Sequence, residues 1–172
     1  MNQTLTIEEL NRISAEEFVT ILGGIFEHSP WVAGHVVAQR PFATTSALHA
    51  AMANAVRSAA LALQLALIRA HPELAGKTAV RGELTAESTR EQSGAGLSEC
   101  SAEEFASLQK LNAAYNAKFG FPFVIAVRGH DRHSIIENFS RRLGLDLATE
   151  TRECLEQIIL IGGFRLNDLI SG

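Results

Sequence analysis

Cysteine is scarce in this chain. Cys100 and Cys154 are the whole supply, and no CxxC pair occurs. Two such residues cannot build a disulfide framework or a thiolate metal centre, so packed, reduced thiols in a cytosolic protein are expected. Basic charge is not in excess either. The formal net charge is −4, which argues against a nucleic-acid or anionic-membrane partner. The start, MNQTLTIEELNRISAEE, is polar and acidic rather than signal-like. The most apolar run, Ala59–Ala70, is interrupted by Gln64 and Arg69 and reads as a core helix, not a membrane span. The final Leu-Ile-Ser-Gly is no peroxisomal tripeptide. Phosphate loops, dinucleotide-binding glycine fingerprints, nucleophile elbows, repeats and low-complexity tracts are all missing, and no cofactor or metal is expected.

What is present reads as helix and core. Hydrophobic residues make up 47% and charged residues 20% of 172 positions, enough for one domain spanning 1–172. The pattern implies an all-α fold, a single compact multi-helix domain of roughly seven to nine helices. Thr6–Asn11 is a short helix. Ser14-Ala-Glu-Glu17 and Ser101-Ala-Glu-Glu104 have capping-box spacing. Gly23-Gly24 ends the second helix, and Ser29 before Pro30 starts another that stops near Pro41. Leu48, Met52, Val56, Ala59, Leu63, Leu67 and Ala70 recur at helical spacing. Ser46–Ala70 is therefore expected to be one long helix, buried nearly all round. Thr85–Gln92 is helical. Phe105, Leu108, Leu111, Tyr115 and Phe119 line one face of the next helix, capped by Gly120. Phe121–Val127 is a short apolar run with no assignment to a sheet. Helices at His133–Leu143, closed by Gly144, and Thr149–Ile170 complete the chain.

A few polar residues break these patterns. His71 stands at the end of a long helix, where the dipole favours an imidazolium. It suits a proton donor, and it equally suits a cap on the last carbonyls. Arg165 lies on the face defined by Leu155, Ile158, Gly162 and Leu169, where a guanidinium needs a carboxylate or a ligand anion. Gly162-Gly163 leaves room beside it. A structural ion pair or a snorkelling arginine fits the same pattern. Ser88, Glu91 and Gln92 fall within one helical turn, matching a ureido compound or a plain polar surface. His130, His133 and Glu137 match no strong zinc spacing and read as a solvated helix start.

Taken in order, FEHSPWVA (Phe26–Ala33), RPF (Arg40–Phe42), HPELAGK (His71–Lys77), STREQSGAGL (Ser88–Leu97), LNAAYNAKFGFPFVIAVRG (Leu111–Gly129) and a late RLNDL around Arg165 resemble the 2-oxo-4-hydroxy-4-carboxy-5-ureidoimidazoline (OHCU) decarboxylase family. The resemblance covers nearly the whole chain, with 20 residues from His71 to Glu91 and 94 from His71 to Arg165. It implies an all-helical, cytoplasmic, cofactor-free carboxy-lyase of urate degradation, usually homodimeric, with OHCU as substrate. It implies His71, Glu91 and Arg165 as catalytic, with His71 the proton donor. Substrate-binding positions implied are Pro72, Ser88, Thr89, Arg90, Glu91, Gln92, Phe123, Val124, Ile125, Ala126, Val127 and Arg165. Glu91 would orient His71 or bind ureido N–H groups, and Gln92 and Ser88 would read amide edges. Backbone groups of Phe123–Val127 would bind the ring, and Arg165 would hold an oxygen. A non-catalytic helical module that binds a ureido metabolite or a partner protein, and a related lyase or hydrolase, remain the alternatives.

Overall fold

A computed structural model describes residues 4–171, apart from the side chains of Lys77 and Thr78. Both chain ends and the Lys77 side chain of HPELAGK thus lie outside the description. Among the described residues are nine helices of six residues or more and a single turn at Lys77–Val80. The only paired strands described are Leu5–Thr6 and Ile170–Ser171, two residues each, in parallel. The fold is all-α, as the periodicity implied. The chain forms two compact units, 1–70 with 158–172, and 71–157.

The first unit contains α1 (Ile7–Arg12), α2 (Ala15–Leu22), α3 (Trp31–Val36), α4 (Thr45–Ser58), α5 (Leu61–Ala70) and the end of α10 (Leu147–Leu169). Its core includes Leu10, Phe18, Val36, Leu48, Met52 and Leu166, all fully buried. Each such side chain is worth about 1.5–3 kcal/mol relative to exposure. Thr6 and Ser14 form the capping boxes that open α1 and α2. The Ser14 backbone N–H holds the Glu17 carboxyl below its ordinary range. RPF works locally. Arg40 donates to the carbonyls of Leu10 at 3.1 Å and Ile13 at 2.7 Å, and lies over the Phe18 ring. Asn11 and the Phe42 backbone exchange two hydrogen bonds of 2.8 Å.

Two expectations need correction here. Ser46–Ala70 is not one helix. Ala59 is extended (φ −66°, ψ 153°), and α4 and α5 meet at 115°. Neither Gly nor Pro marks the break. Gln64 Nε2 donates to the freed carbonyls of Val56 at 3.0 Å and Arg57 at 3.1 Å, so the polar residue inside the apolar run caps the preceding helix. Beyond the break, Leu61 and Leu63 are 60% and 43% exposed, and α5 buries only Leu67 and Ile68. Ser29 is not a helix cap either. Its hydroxyl donates to the Glu27 carbonyl, and α3 begins without a side-chain cap. No single helix among the described residues is long and apolar enough to cross a membrane.

The second unit contains α6 (Lys77–Val80), α7 (Ala86–Gly94), α8 (Ala102–Phe119), α9 (Arg132–Leu143) and the start of α10. Ser101 forms the expected capping box, whose backbone N–H lowers the Glu104 carboxyl. Gly120 ends α8 at φ +73°, a conformation that costs glycine little. Phe105 departs from its expected place on the apolar face and is 38% exposed. Asp131 caps α9 and receives the Ser134 N–H at 2.8 Å, so the histidine-rich stretch is a helix start. Asp146 caps α10 the same way through Thr149, beginning it two residues earlier than expected.

Candidate active site

His71, directly after α5, is buried, and Pro72 is half-buried. The loop that His71 opens is held by side-chain amides rather than by regular structure. Gln92 Oε1, on α7, accepts from the Ala75 N–H at 3.0 Å, while its Nε2 donates to the Glu73 carbonyl at 3.3 Å. From α8, Asn112 donates to the Leu74 carbonyl at 3.0 Å and Gln109 to the Ala75 carbonyl at 2.8 Å. Asn116, one turn on from Asn112, donates to the Glu73 carboxylate. Gln109, Asn112 and Asn116 are three and seven residues apart and share a face. This clamp keeps Ala75 in the left-handed region at φ +48°. At Gly76 a Cβ would sit 2.6 Å from that of Glu73, so glycine is needed there.

On α7, Ser88 and Gln92 are buried and Glu91 is half-buried. Gln92, expected to read an amide edge of the substrate, also braces the loop with both ends of its amide. Thr89 and Arg90 are exposed. Thr89 caps back to the Thr85 carbonyl at 2.9 Å, and Arg90 approaches Glu87 at 3.9 Å.

Phe123, Val124, Ile125, Ala126 and Val127 are all buried and form no helix or strand. A charged cluster that the sequence reading missed lies beneath them. Arg142 (1% exposed) pairs with Glu150 (0%), Nε to Oε1 at 2.9 Å, and donates from Nη1 to the Val124 carbonyl at 2.7 Å. Its guanidinium lies 4.3 Å from the Phe123 ring centroid, and Phe123 stacks on Phe139. The Tyr115 hydroxyl donates to Glu150 and sits 3.3 Å from the Cys154 sulfur. Burial raises the Tyr115 hydroxyl above its ordinary pKa and pushes the Cys154 thiol up to about 11, so both stay protonated at neutral pH. A signal for Arg142 existed. Ile135, Phe139 and Arg142 step by four and three, the same stripe argument that singled out Arg165.

Arg165 belongs to the other unit. There Nη1 meets the Glu27 carboxylate at 2.8 Å and the Gly24 carbonyl at 3.2 Å, with both charged side chains buried. Its carboxylate partner thus comes from FEHSPWVA. The room expected at Gly162-Gly163 is filled. A Cβ at Gly162 would come within 2.9 Å of the Phe26 ring, and one at Gly163 within 3.0 Å of the His49 ring. His49 is itself held, its Nε2 2.7 Å from the Ile159 carbonyl. A groove of about 530 Å³ beside α7, lined by Ala75, Leu84, Gln92, Leu97 and Phe105 among others, includes neither His71 nor Glu91 in its wall.

Residues 11–167 match the family model described as OHCU decarboxylase. The chain belongs to the OHCU decarboxylase family. A human protein whose name points to that decarboxylase is 42% identical over 166 residues, 96% of each chain. The 2-oxo-4-hydroxy-4-carboxy-5-ureidoimidazoline decarboxylase of Haloferax volcanii is 38% identical, over 97% of each chain. A crystal structure of (S)-allantoin synthase superposes with TM-score 0.79 at 29% identity, covering 96% of this chain and 54% of that one.

Proposed function

We propose that this chain decarboxylates OHCU to (S)-allantoin in urate degradation, with His71 as the proton donor. The observation that carries the reading is the family match across residues 11–167, with a buried histidine at the head of an amide-clamped loop.

Loss of CO2 breaks the bond between the ring carbon and the carboxylate carbon and leaves its electron pair on the ring. A neighbouring C=N accepts that pair, so the chemistry needs no external electron sink. This makes a C=C between the carbon that lost CO2 and the adjacent ureido-bearing carbon, with a proton taken up on the C=N nitrogen. The hydroxyl on the first carbon then gives up its proton to become the ring C=O. The ureido-bearing carbon takes a proton from His71, which regains one from solvent. Delivery to one face by one fixed donor makes a single-handed product. Glu91 orients His71 or binds ureido N–H groups, and Gln92 and Ser88 read amide edges. The apolar side chains of Phe123–Val127 exclude water while their backbone meets the ring. Arg165 holds an anionic or carbonyl oxygen, its guanidinium fixed by Glu27.

The test uses OHCU generated freshly from urate with urate oxidase and hydroxyisourate hydrolase, with allantoin followed by circular dichroism. Rapid growth of a single-handed signal, dependent on this protein, is expected. A slow racemic signal unchanged by the protein overturns the reading and leaves the ureido-binding module. The same proposal has residues 1–172 working as one catalytic domain in a cytoplasmic homodimer. Light scattering should return twice the mass of the chain, and the mass of one chain would rule the dimer out.

A further inference from the structure

The backbone of Phe123–Val127 is aimed by a polar stripe on α10. Glu150, Cys154 and Gln157 are spaced by four and three residues and share one face of that helix. Glu150 holds Arg142, which donates to the Val124 carbonyl at 2.7 Å. Gln157 Oε1 accepts the Ala126 N–H at 2.9 Å. Glu153, one turn back, accepts from Gln157 Nε2 at 3.2 Å, which sets the amide with its oxygen toward Ala126. Among the described residues, Arg40–Pro41 is the one cis peptide, so the peptides on both sides of Ile125 are trans. In a planar trans peptide the C=O and N–H point in opposite directions. Because the Val124 carbonyl is tied to the α10 side, the Ile125 N–H points away from it. Because the Ala126 N–H is tied to the same side, the Ile125 carbonyl also points away. Neither polar group of the Ile125 backbone has a hydrogen-bond partner among the described residues, although Ile125 is 5% exposed. Buried backbone groups are rarely left so.

We infer that Gln157 and Arg142 are positioning residues that present the Ile125 N–H and C=O as an adjacent donor and acceptor for a cyclic ureido edge of the substrate. Such an edge offers a C=O beside an N–H, the complement of that pair. The inference rests on the decarboxylase reading above. Neither side chain touches substrate. Each acts through the backbone it holds, and a small tilt of Ile125 would cost affinity for the ring.

Gln157→Leu keeps the bulk and removes the acceptor, while Gln157→Glu restores one. For Gln157→Leu, KM for OHCU should rise roughly five- to tenfold, the worth of a misdirected hydrogen bond, with kcat changing less. Gln157→Glu combined with Glu153→Gln, which restores the acceptor without setting two carboxylates side by side, should recover most of that loss. In the unmodified protein, adding (S)-allantoin should move the NMR amide signal of Ile125 and leave that of Ala126 nearly in place, a readout that needs no variant to fold. Unchanged KM in a folded, active Gln157→Leu protein overturns the positioning role. So does an Ile125 amide that ignores the ligand while the protein turns over OHCU. A wild-type protein without turnover would instead overturn the decarboxylase reading itself.

Discussion

Replacing His71 by asparagine should lower turnover of OHCU by about 10²–10⁴-fold while the fold stands, because a positioned general acid contributes a factor of that order. The clamp explains why the two effects separate. Gln92, Gln109, Asn112 and Asn116 bond to Glu73, Leu74 and Ala75, and these bonds stay in place when the imidazole is replaced. Asparagine is smaller, polar and without an acidic proton near neutral pH. The residual product should also lose handedness, since protonation by solvent has access to either face. Single-turnover allantoin formation followed by circular dichroism, beside a thermal melt, checks both halves. A His71→Asn protein of near wild-type rate would show that the proton comes from elsewhere. One that fails to melt cooperatively would show that the histidine holds the loop.

The largest stability effect should come from Glu150→Gln. It leaves the Arg142 guanidinium buried at 1% exposure with its charge uncompensated. Removing one partner of a buried ion pair typically costs about 3–5 kcal/mol. In a chain of this size that corresponds to a fall in Tm of roughly 6–20 °C. Glu104→Gln is the control. Its pair with Arg132 is also close, at 2.9 Å, but the two side chains are about a third exposed, and water screens them. A much smaller fall in Tm is expected there. Thermal melts of the two variants in one buffer decide the matter. Equal small losses would mean that the Arg142 charge is satisfied by the Val124 carbonyl and the Phe123 ring without Glu150.

The family resemblance was readable because its motifs are spelled out in order, yet several of those motifs do work that the letters do not reveal. FEHSPWVA places a ring against Gly162 and a carboxylate against Arg165, across 138 residues of sequence. RPF ties α1 and α2 to the turn after α3. Gln92, expected as a substrate contact, also holds the histidine loop. Arg165 was flagged because it stood on an apolar face, and the same reasoning carried to α9 would have flagged Arg142.

What the sequence determined by itself is local. The capping boxes at Ser14 and Ser101 and the glycine cap at Gly120 appear where the letters put them, because each closes a hydrogen bond within three or four residues. The all-α class followed from apolar spacing for the same reason. The break at Ala59 is local too, since Gln64 reaches back only seven and eight residues, but no Gly or Pro announces it. Tertiary structure decided the Arg142–Glu150–Tyr115 cluster, assembled from three helices, and the direction of the Ile125 backbone. These depend on which distant groups meet in a low-dielectric interior, where an unpaired charge or amide is costly. No window of neighbouring residues contains that information.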